Sequence, residues 1–434
     1  MITTKEPAKA TRLFSKNSLR FNNRSLFLFF VLLMVVKAFL FHENFYILDI
    51  EPWHTQELTM DYSFGFIRRG LLGSWVTLIK DALKIHYQDA ILIVQNLGVL
   101  LFFSAILLFF HRLLKNENEK SFFFIILLYM ALDHIGFELT QFGLLDTYMM
   151  AITLLMVYLI IKDKALFLIP FLTGICVLIH EGYPMMFFGI IVALLIYRLC
   201  YAEDNKSKYR YIGVLVLSGL IAGVLFFFCY FVYPRITNHD IETVFAFCKQ
   251  KLSNDDFDAS NIRYFWFDKT LIPGTREADG RMWVDGHIQK RFFILMRIVL
   301  LNVVVCSPLI VMTFLYWQRI IKNESKPYRK ILLTLCSLSV LLIFPLIIIH
   351  CDQGRWFYDI VFFEIVVISS ISLLNRHNER NTLAEMSKFS VIKVLMLSLY
   401  FIFYFHYTDF DLGNINYINY ICINIVRLYR LFFS

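Results

Sequence analysis

The amino-acid sequence predicts an all-α protein, a polytopic bundle of transmembrane helices. Hydrophobic residues make up 58% of its 434 residues and charged residues only 18%, whereas a soluble domain is about 45–50% apolar. The mean hydropathy is +0.61. Apolar windows of about 20 residues, the length with which a helix crosses a bilayer, recur along the chain. These observations exclude a disordered chain, a coiled coil and a nucleic-acid-binding domain, and they argue against a soluble enzyme.

The chain begins with a basic segment that is predicted to be cytoplasmic. Residues 1–24 contain six basic residues and one acidic residue, and an apolar run follows at 25–41. Since no small-residue cleavage site comes after this run, we interpret it as an uncleaved first span and not as a signal peptide. A long first outer loop, 44–90, comes next.

Ten further apolar windows bring the prediction to eleven spans. Of the eleven predicted spans, seven lie in the region 25–233 and four in the region 292–406. A long outer loop, 234–291, separates the two regions. The C-terminal stretch, 407–434, contains an interrupted apolar run at 415–433, which is either an interfacial helix or a twelfth span. The predicted spans are 25–41, 91–110, 122–137, 147–161, 165–179, 185–199, 211–233, 292–317, 331–349, 356–374 and 389–406.

The distribution of basic residues predicts the orientation in the membrane. With the N-terminus inside, basic residues are more than twice as dense in the inner segments as in the outer ones, as the positive-inside rule requires. We therefore expect an integral protein of the bacterial inner membrane with a cytoplasmic N-terminus. The inner segments are 1–24, 111–121, 162–164, 197–210, 318–330 and 375–388.

The first outer loop combines acids, a pair of arginines and an amphipathic segment. Apolar residues recur at helical spacing from Leu71 to Ile85, which predicts an interfacial helix lying in the membrane surface. Arg68 and Arg69 come directly before it. They either anchor the loop at lipid headgroups or clamp a phosphate, because the planar guanidinium matches phosphate oxygens. Asp61 lies seven residues upstream of Arg68 and could act on a substrate held there.

Polar residues also mark the short connections between later spans. His180 and Glu181 join two spans in a short turn, and polar residues at that depth tend to be functional. Asp352 and Arg355 lie in another outer turn, where Arg355 either contacts an anion or pairs with Asp359. These side chains are predicted to line a substrate pocket.

A further acidic cluster lies between two early spans. It contains Glu138, which shares a helical face with His134, and it ends at Asp146. Asp146 directly precedes an apolar span and is interpreted either as its N-cap or as a site residue. For Glu138 the functional interpretation is favoured.

The sequence predicts no metal and no cofactor. The eight cysteines contain no CxxC pair, so a zinc site or a disulfide framework is not expected. His180-Glu181 resembles the start of a zinc-protease helix, but Pro184 stands where the second histidine is required. A GxxxxGK nucleotide loop is also lacking, which disfavours an ATP-driven pump.

These outer charges around an apolar bundle fit a substrate with a lipid tail and a phosphate head. The tail would lie between spans, and the head would meet the arginines. Sugar transfer from such a carrier needs a carboxylate to deprotonate the acceptor hydroxyl and cationic groups to stabilise the leaving phosphate. Asp61 is the first choice for the base and Asp49 the second.

The arrangement resembles the C-type superfamily of integral-membrane glycosyltransferases, which take sugars from polyprenyl-phosphate carriers. The resemblance implies a catalytic acid in the first outer loop, to which Asp49, Glu51 or Asp61 would correspond. It implies a further acid in the second outer loop, to which Glu138 or Asp146 would correspond. The implied partners are a polyprenyl-phosphate-linked sugar, a glycan or lipid-linked acceptor and the membrane lipids, with no nucleic acid.

Two other functions stay open at this point. One is a polysaccharide polymerase or ligase of the O-antigen type, whose chemistry would lie in the long outer loop at Arg276, Arg281 and His287, together with Arg355. The other is a lipid-linked glycan transporter or flippase, which predicts inverted repeats and broken helices. No convincing repeat is present in the sequence.

Overall fold

The structure, a computed structural model, describes residues 55, 58–64, 69–114, 145–229, 241–252, 310, 313–349 and 353–374. These residues are mostly helical, and they contain no strand. The predicted spans 25–41, 122–137 and 389–406, most of the predicted span 292–317, and the C-terminal stretch 407–434 lie outside the described residues.

The predicted first outer loop contains the amphipathic helix that its apolar spacing indicates. A 3-10 turn, Tyr62–Phe64, precedes helix α1, Gly70–Leu83, and helix α2, Tyr87–Leu114, follows. Lys84 ends α1 in the left-handed conformation, and its backbone N–H donates to the carbonyl of Lys80, which satisfies one of the last free carbonyls of the helix. α2 extends beyond the predicted span 91–110 at both ends.

Five helices follow one another along the chain after residue 145. They are α3, Asp146–Lys162; α4, Leu168–Ile179; a short α5, Tyr183–Met186; α6, Phe188–Tyr201; and α7, Asn205–Phe227. α7 begins at the N-cap Asp204, whose side chain accepts a hydrogen bond of 2.7 Å from the backbone N–H of Ser207. Asp146 is the first residue of α3 and not its N-cap; Leu145 holds that position and makes no side-chain cap.

The remaining described helices come from the second half of the chain. They are α8, Ile241–Leu252; α9, residues 313–323; α10, Pro327–Leu338; α11, Phe344–Ile349; and α12, Gln353–Leu374. Pro327 begins α10, where its missing N–H costs nothing. The predicted span 331–349 contains a 3-10 segment, Ser339–Ile343, between α10 and α11.

Three of the described helical segments are long and apolar enough to cross a membrane. They are Tyr87–Phe109, Asn205–Phe227 and Pro327–Leu346, and α4 and α6 are shorter apolar helices. Several large apolar side chains of α7 are exposed, among them Leu220 and Phe227. Exposing such side chains to water would be unfavourable. These features mark the chain as a membrane protein, because such a surface is stable in lipid.

Helix α6 lies at the centre of the described bundle and packs against α3, α7, α10 and α12. Its contact with α12 is close at Gly189, where an added Cβ would lie 2.7 Å from a ring atom of Phe363. α2 packs against α3 in a similar way, since a Cβ on Gly98 would lie 2.5 Å from the ring of Tyr148. The helices are therefore fitted to each other at specific positions.

Three of the predicted inner segments meet at one end of this bundle. Arg198 donates to the carbonyls of Ile160 and Ile161 at the C-terminus of α3, with distances of 2.7–3.1 Å. Tyr201 donates to Glu324 at 3.3 Å. The segments 162–164, 197–210 and 318–330 thus share one face, which we call the basic end.

Candidate functional site

The candidate site lies at the opposite end of the bundle, which we call the loop end. Of the residues that the sequence analysis selected, the structure describes the side chains of Asp61, Arg69, His180 and Glu181 there. Arg355 lies in the first turn of α12. Its side chain is outside the described part, as are Asp49, Arg68, Glu138 and Asp352.

Asp61 is positioned by the close approach of two segments of the first outer loop. Gly73 on α1 faces the backbone of residues 58–60, and a Cβ at that position would lie 1.7 Å from the carbonyl oxygen of Met60. The backbone N–H of Tyr62 donates to Ser74 at 3.0 Å. Only glycine permits this contact, and it fixes Asp61 beside α1.

The Asp61 carboxylate is buried, with 3% of the residue exposed. Its Oδ1 accepts a 2.9 Å hydrogen bond from the backbone N–H of Ser63 and a second one from the Ser63 hydroxyl. Its Oδ2 accepts hydrogen bonds from Thr77 at 2.7 Å and from Lys251 at 2.8 Å. Both oxygens are therefore engaged, as a buried charge requires.

These contacts decide the protonation state of Asp61. Burial by itself raises the pKa of the carboxyl, and the hydrogen bonds from Lys251, Ser63 and Thr77 outweigh burial, so that the pKa lies below its ordinary value. Asp61 is therefore ionised at neutral pH. The ionised form can accept a proton, although a lowered pKa also makes it a weaker base.

Lys251 comes from helix α8 in the predicted long outer loop, 190 residues away from Asp61 in the sequence. Its Nζ also donates to the carbonyl of Thr59 at 3.0 Å and to the hydroxyl of Tyr87 at 3.3 Å. The same Nζ lies 4.2 Å from the ring centroid of Phe247 and 4.9 Å from that of Tyr87, within the range of cation–π attraction. The two outer loops are thus joined at this lysine.

Arg69 and Glu181 form a second buried ion pair at the loop end. Nε and Nη2 of Arg69 donate to the two carboxylate oxygens of Glu181 at 2.9 and 3.0 Å, in the bidentate geometry that arginine favours. Arg69 has a φ of 60°, which is uncommon for a residue other than glycine. The structure therefore brings together two predicted binding residues, but the guanidinium fork of Arg69 is directed at Glu181.

His180 is part of the turn that presents Glu181. Its Nδ1 accepts a hydrogen bond of 2.9 Å from the backbone N–H of Gly182, so this nitrogen carries no proton in the turn. Nδ1 also lies 3.9 Å from a carboxylate oxygen of Glu181. Because Nδ1 acts as an acceptor, this approach is not an ion pair. The local role of His180 is to shape the turn between α4 and α5.

Sequence reasoning did not select Lys251, Thr77 or Tyr87. Lys251 follows Phe247 by four residues, so the two share one face of a helix. A lysine on the apolar face of an amphipathic helix indicates a specific contact. The signal does not name the partner, because the contact with Asp61 depends on how two outer loops fold together. Thr77 and Tyr87 show no such pattern in the sequence.

The described residues contain no group of three or more His, Cys, Asp or Glu side chains that could hold a metal ion. The loop end instead offers two carboxylates and two cations in buried pairs, beside helix α1. α1 buries Leu72 and Val76, and it exposes Trp75, Leu78 and Leu83. Charged groups next to an exposed apolar helix suit a molecule with a polar head and a lipid tail.

No protein-family model, no curated protein and no solved structure matches the chain.

Proposed function

We propose that the chain is a membrane glycosyltransferase that transfers a sugar from a polyprenyl-phosphate donor at the loop end of the bundle. The observation that carries the proposal is the meeting of the first outer loop with the long outer loop at the ionised Asp61. The exposed apolar side chains of α1 provide the adjacent surface for a polyprenyl tail.

In this reaction the bond between the anomeric carbon and the phosphate oxygen breaks, and a bond from that carbon to the acceptor oxygen forms. Asp61 takes the proton of the acceptor hydroxyl, and the electron pair of the broken bond leaves with polyprenyl phosphate. An acceptor hydroxyl reaches Oδ2 by taking the place of the Thr77 hydroxyl, which a single side-chain rotation moves away. Arg68 and Arg69 hold the phosphate, with Arg69 acting through its charge because its Nε and Nη2 are engaged by Glu181. Arg355 and Asp352 complete the pocket with His180 and Glu181.

The test uses purified protein in lipid nanodiscs with a panel of synthetic polyprenyl-phosphate hexoses and pentoses. Release of polyprenyl phosphate is measured by mass spectrometry with cell-envelope extract as the source of acceptor. We expect release by the wild type and a loss of at least about 100-fold in Asp61→Asn, the size of a typical general-base contribution. Asp81→Asn, which changes an exposed carboxylate on α1, is the matched control.

Full activity in both Asp61→Asn and Asp49→Asn would exclude chemistry in the first outer loop. Uptake of the lipid-linked sugar into vesicles without release of polyprenyl phosphate would favour the transporter function instead.

A polysaccharide polymerase or ligase is the second candidate, and the contact of α8 with Asp61 favours it. That contact places part of the long outer loop at the same site. This function requires arginines of the long loop, so Arg281→Lys would abolish transfer of a lipid-linked oligosaccharide while Asp61→Asn would retain it. The glycosyltransferase proposal expects the reverse.

A further inference from the structure

The ammonium group of Lys251 makes more hydrogen bonds than that of an ordinary surface lysine. Its three ammonium protons are directed at Thr59, Asp61 and Tyr87, which matches the donor capacity of the group. Only 13% of the side chain is exposed. Because an ordered lysine loses considerable side-chain entropy, such a fully engaged ammonium is a specific feature of the fold.

The acceptors of Lys251 belong to separate segments of the first outer loop and the bundle. Thr59 and Asp61 lie in the segment before α1, and Tyr87 begins α2. The Tyr87 hydroxyl donates in turn to the carbonyl of Leu58 at 3.2 Å. Lys251 therefore holds the backbone around Asp61 as well as its carboxylate.

We infer that Lys251 is a positioning residue for Asp61, which docks helix α8 on the first outer loop and keeps Oδ2 oriented toward the acceptor hydroxyl. This inference rests on the proposed sugar transfer, in which Asp61 is the base. Thr77 and Lys251 share Oδ2, and Lys251 makes more contacts there. Its ammonium is held by three acceptors and two aromatic rings, whereas the Thr77 hydroxyl contacts Asp61 and Tyr87.

The charge of Lys251 also acts on the ionisation of Asp61. The titratable groups that face Asp61 are Lys251 and Cys248 on α8 and Tyr87 on α2. Burial raises the pKa of Cys248 to about 11, so this thiol is neutral over the working pH range. Lys251 is thus the charged group whose removal shifts the balance at Asp61 toward the effect of burial.

The test measures the pH dependence of kcat/KM for polyprenyl phosphate release in Lys251→Met, Lys251→Arg and Lys249→Met. The ionised Asp61 is the active form, so activity falls as the pH drops through its pKa. Without the neighbouring cation that pKa rises, and we expect the acid limb to move to higher pH by about 1–3 units in Lys251→Met. Lys251→Arg keeps the charge and returns the limb toward that of the wild type.

Lys249→Met removes the same charge from an exposed position on the same helix and leaves the acid limb in place. If Lys251→Met does not reach the membrane, Lys251→Gln, which keeps donor groups without the charge, gives the same measurement. If the acid limb does not move in Lys251→Met or Lys251→Gln while Asp61→Asn is inactive, the role of Lys251 is overturned and the proposed function stands. Full activity in Asp61→Asn overturns the assignment of Asp61 itself.

Discussion

At the residue scale, the loop end depends on two buried ion pairs that connect distant parts of the chain. Asp61 pairs with Lys251, and Arg69 pairs with Glu181, which is 112 residues away. A buried charge that loses its partner is strongly destabilising, although an exposed pair contributes little. Each pair therefore fixes a loop as well as placing a charge at the candidate site.

The first prediction concerns the Arg69–Glu181 pair. Either Arg69→Met or Glu181→Gln breaks a bidentate ion pair between two largely buried side chains, and we expect a loss of about 3–5 kcal/mol of stability in each. The double variant removes both partners, so its loss is smaller than the sum of the single losses. Thermal unfolding of the four proteins in the same nanodisc measures this coupling.

Additive losses in this cycle would contradict an energetic pairing. Lys80→Met and Asp81→Asn form the control cycle, because that pair is exposed and neighbouring in sequence. We expect a coupling of less than about 1 kcal/mol there.

The second prediction concerns the pH dependence of stability. The pKa of Asp61 is lower in the folded protein than its ordinary value of 3.8. The ionised carboxylate therefore stabilises the fold above about pH 4, and this contribution is lost as the pH falls through the folded-state pKa. The difference in Tm between wild type and Asp61→Asn should be large at pH 6 and should shrink below pH 4.

A difference in Tm that stays constant from pH 6 to pH 3 would mean that Asp61 is not held in its ionised form. Asp81→Asn, which removes an exposed carboxylate from α1, provides the comparison.

At the element scale, helix α1 has two unlike faces. One face packs on the protein through Leu72, Gly73 and Val76, while Trp75 and Leu78 are exposed. Periodicity alone predicts an amphipathic helix, and it does not show that a glycine in that helix touches another backbone segment. The position of Asp61 follows from that contact.

The third prediction tests the contact between α1 and residues 58–60. Gly73→Ala places a methyl group against backbone atoms that cannot rotate away, so we expect a loss of about 3 kcal/mol or more. Activity should fall as well, since the displaced segment carries Asp61. Gly219→Ala on α7 is the matched control, because its new Cβ would meet nothing within 4 Å.

We expect Gly219→Ala to change stability by no more than about 1 kcal/mol, in the direction of the better helix propensity of alanine. Equal effects of the two substitutions would show that α1 does not pack tightly on residues 58–60.

At the scale of the whole molecule, the bundle has two chemically different ends. Connections at the basic end are tied by Arg198 to α3 and by Tyr201 to Glu324. Connections at the loop end contain the buried ion pairs. The positive-inside rule predicts that the basic end faces the cytoplasm.

The fourth prediction tests this orientation by cysteine labelling. Ser63 lies at the loop end and Ser325 at the basic end, and both residues are exposed. In a cysteine-free variant, Ser63→Cys should react with a membrane-impermeant maleimide added to intact spheroplasts. Ser325→Cys should react only after the membrane is opened. Labelling of Ser325→Cys from outside would reverse the orientation and place the candidate site in the cytoplasm.

Long apolar windows alone predict the three described helical segments that can cross a membrane, because a helix in lipid satisfies its own backbone hydrogen bonds and needs only apolar side chains. The helical spacing from Leu71 to Ile85 likewise predicted α1. The density of basic residues groups the segments 162–164, 197–210 and 318–330 as predicted inner segments, and the structure brings them to one end of the bundle. Local composition and periodicity contain this information.

Only the tertiary structure decided which charges meet. The sequence showed Asp61 and Arg69 as candidates, but not that Lys251 would engage the first or Glu181 the second. Such pairs join positions more than 100 residues apart, and their geometry follows from the packing of α1 and α8 against the bundle. Composition and spacing record which side chains are available, whereas the approach of distant backbones decides which of them share a site.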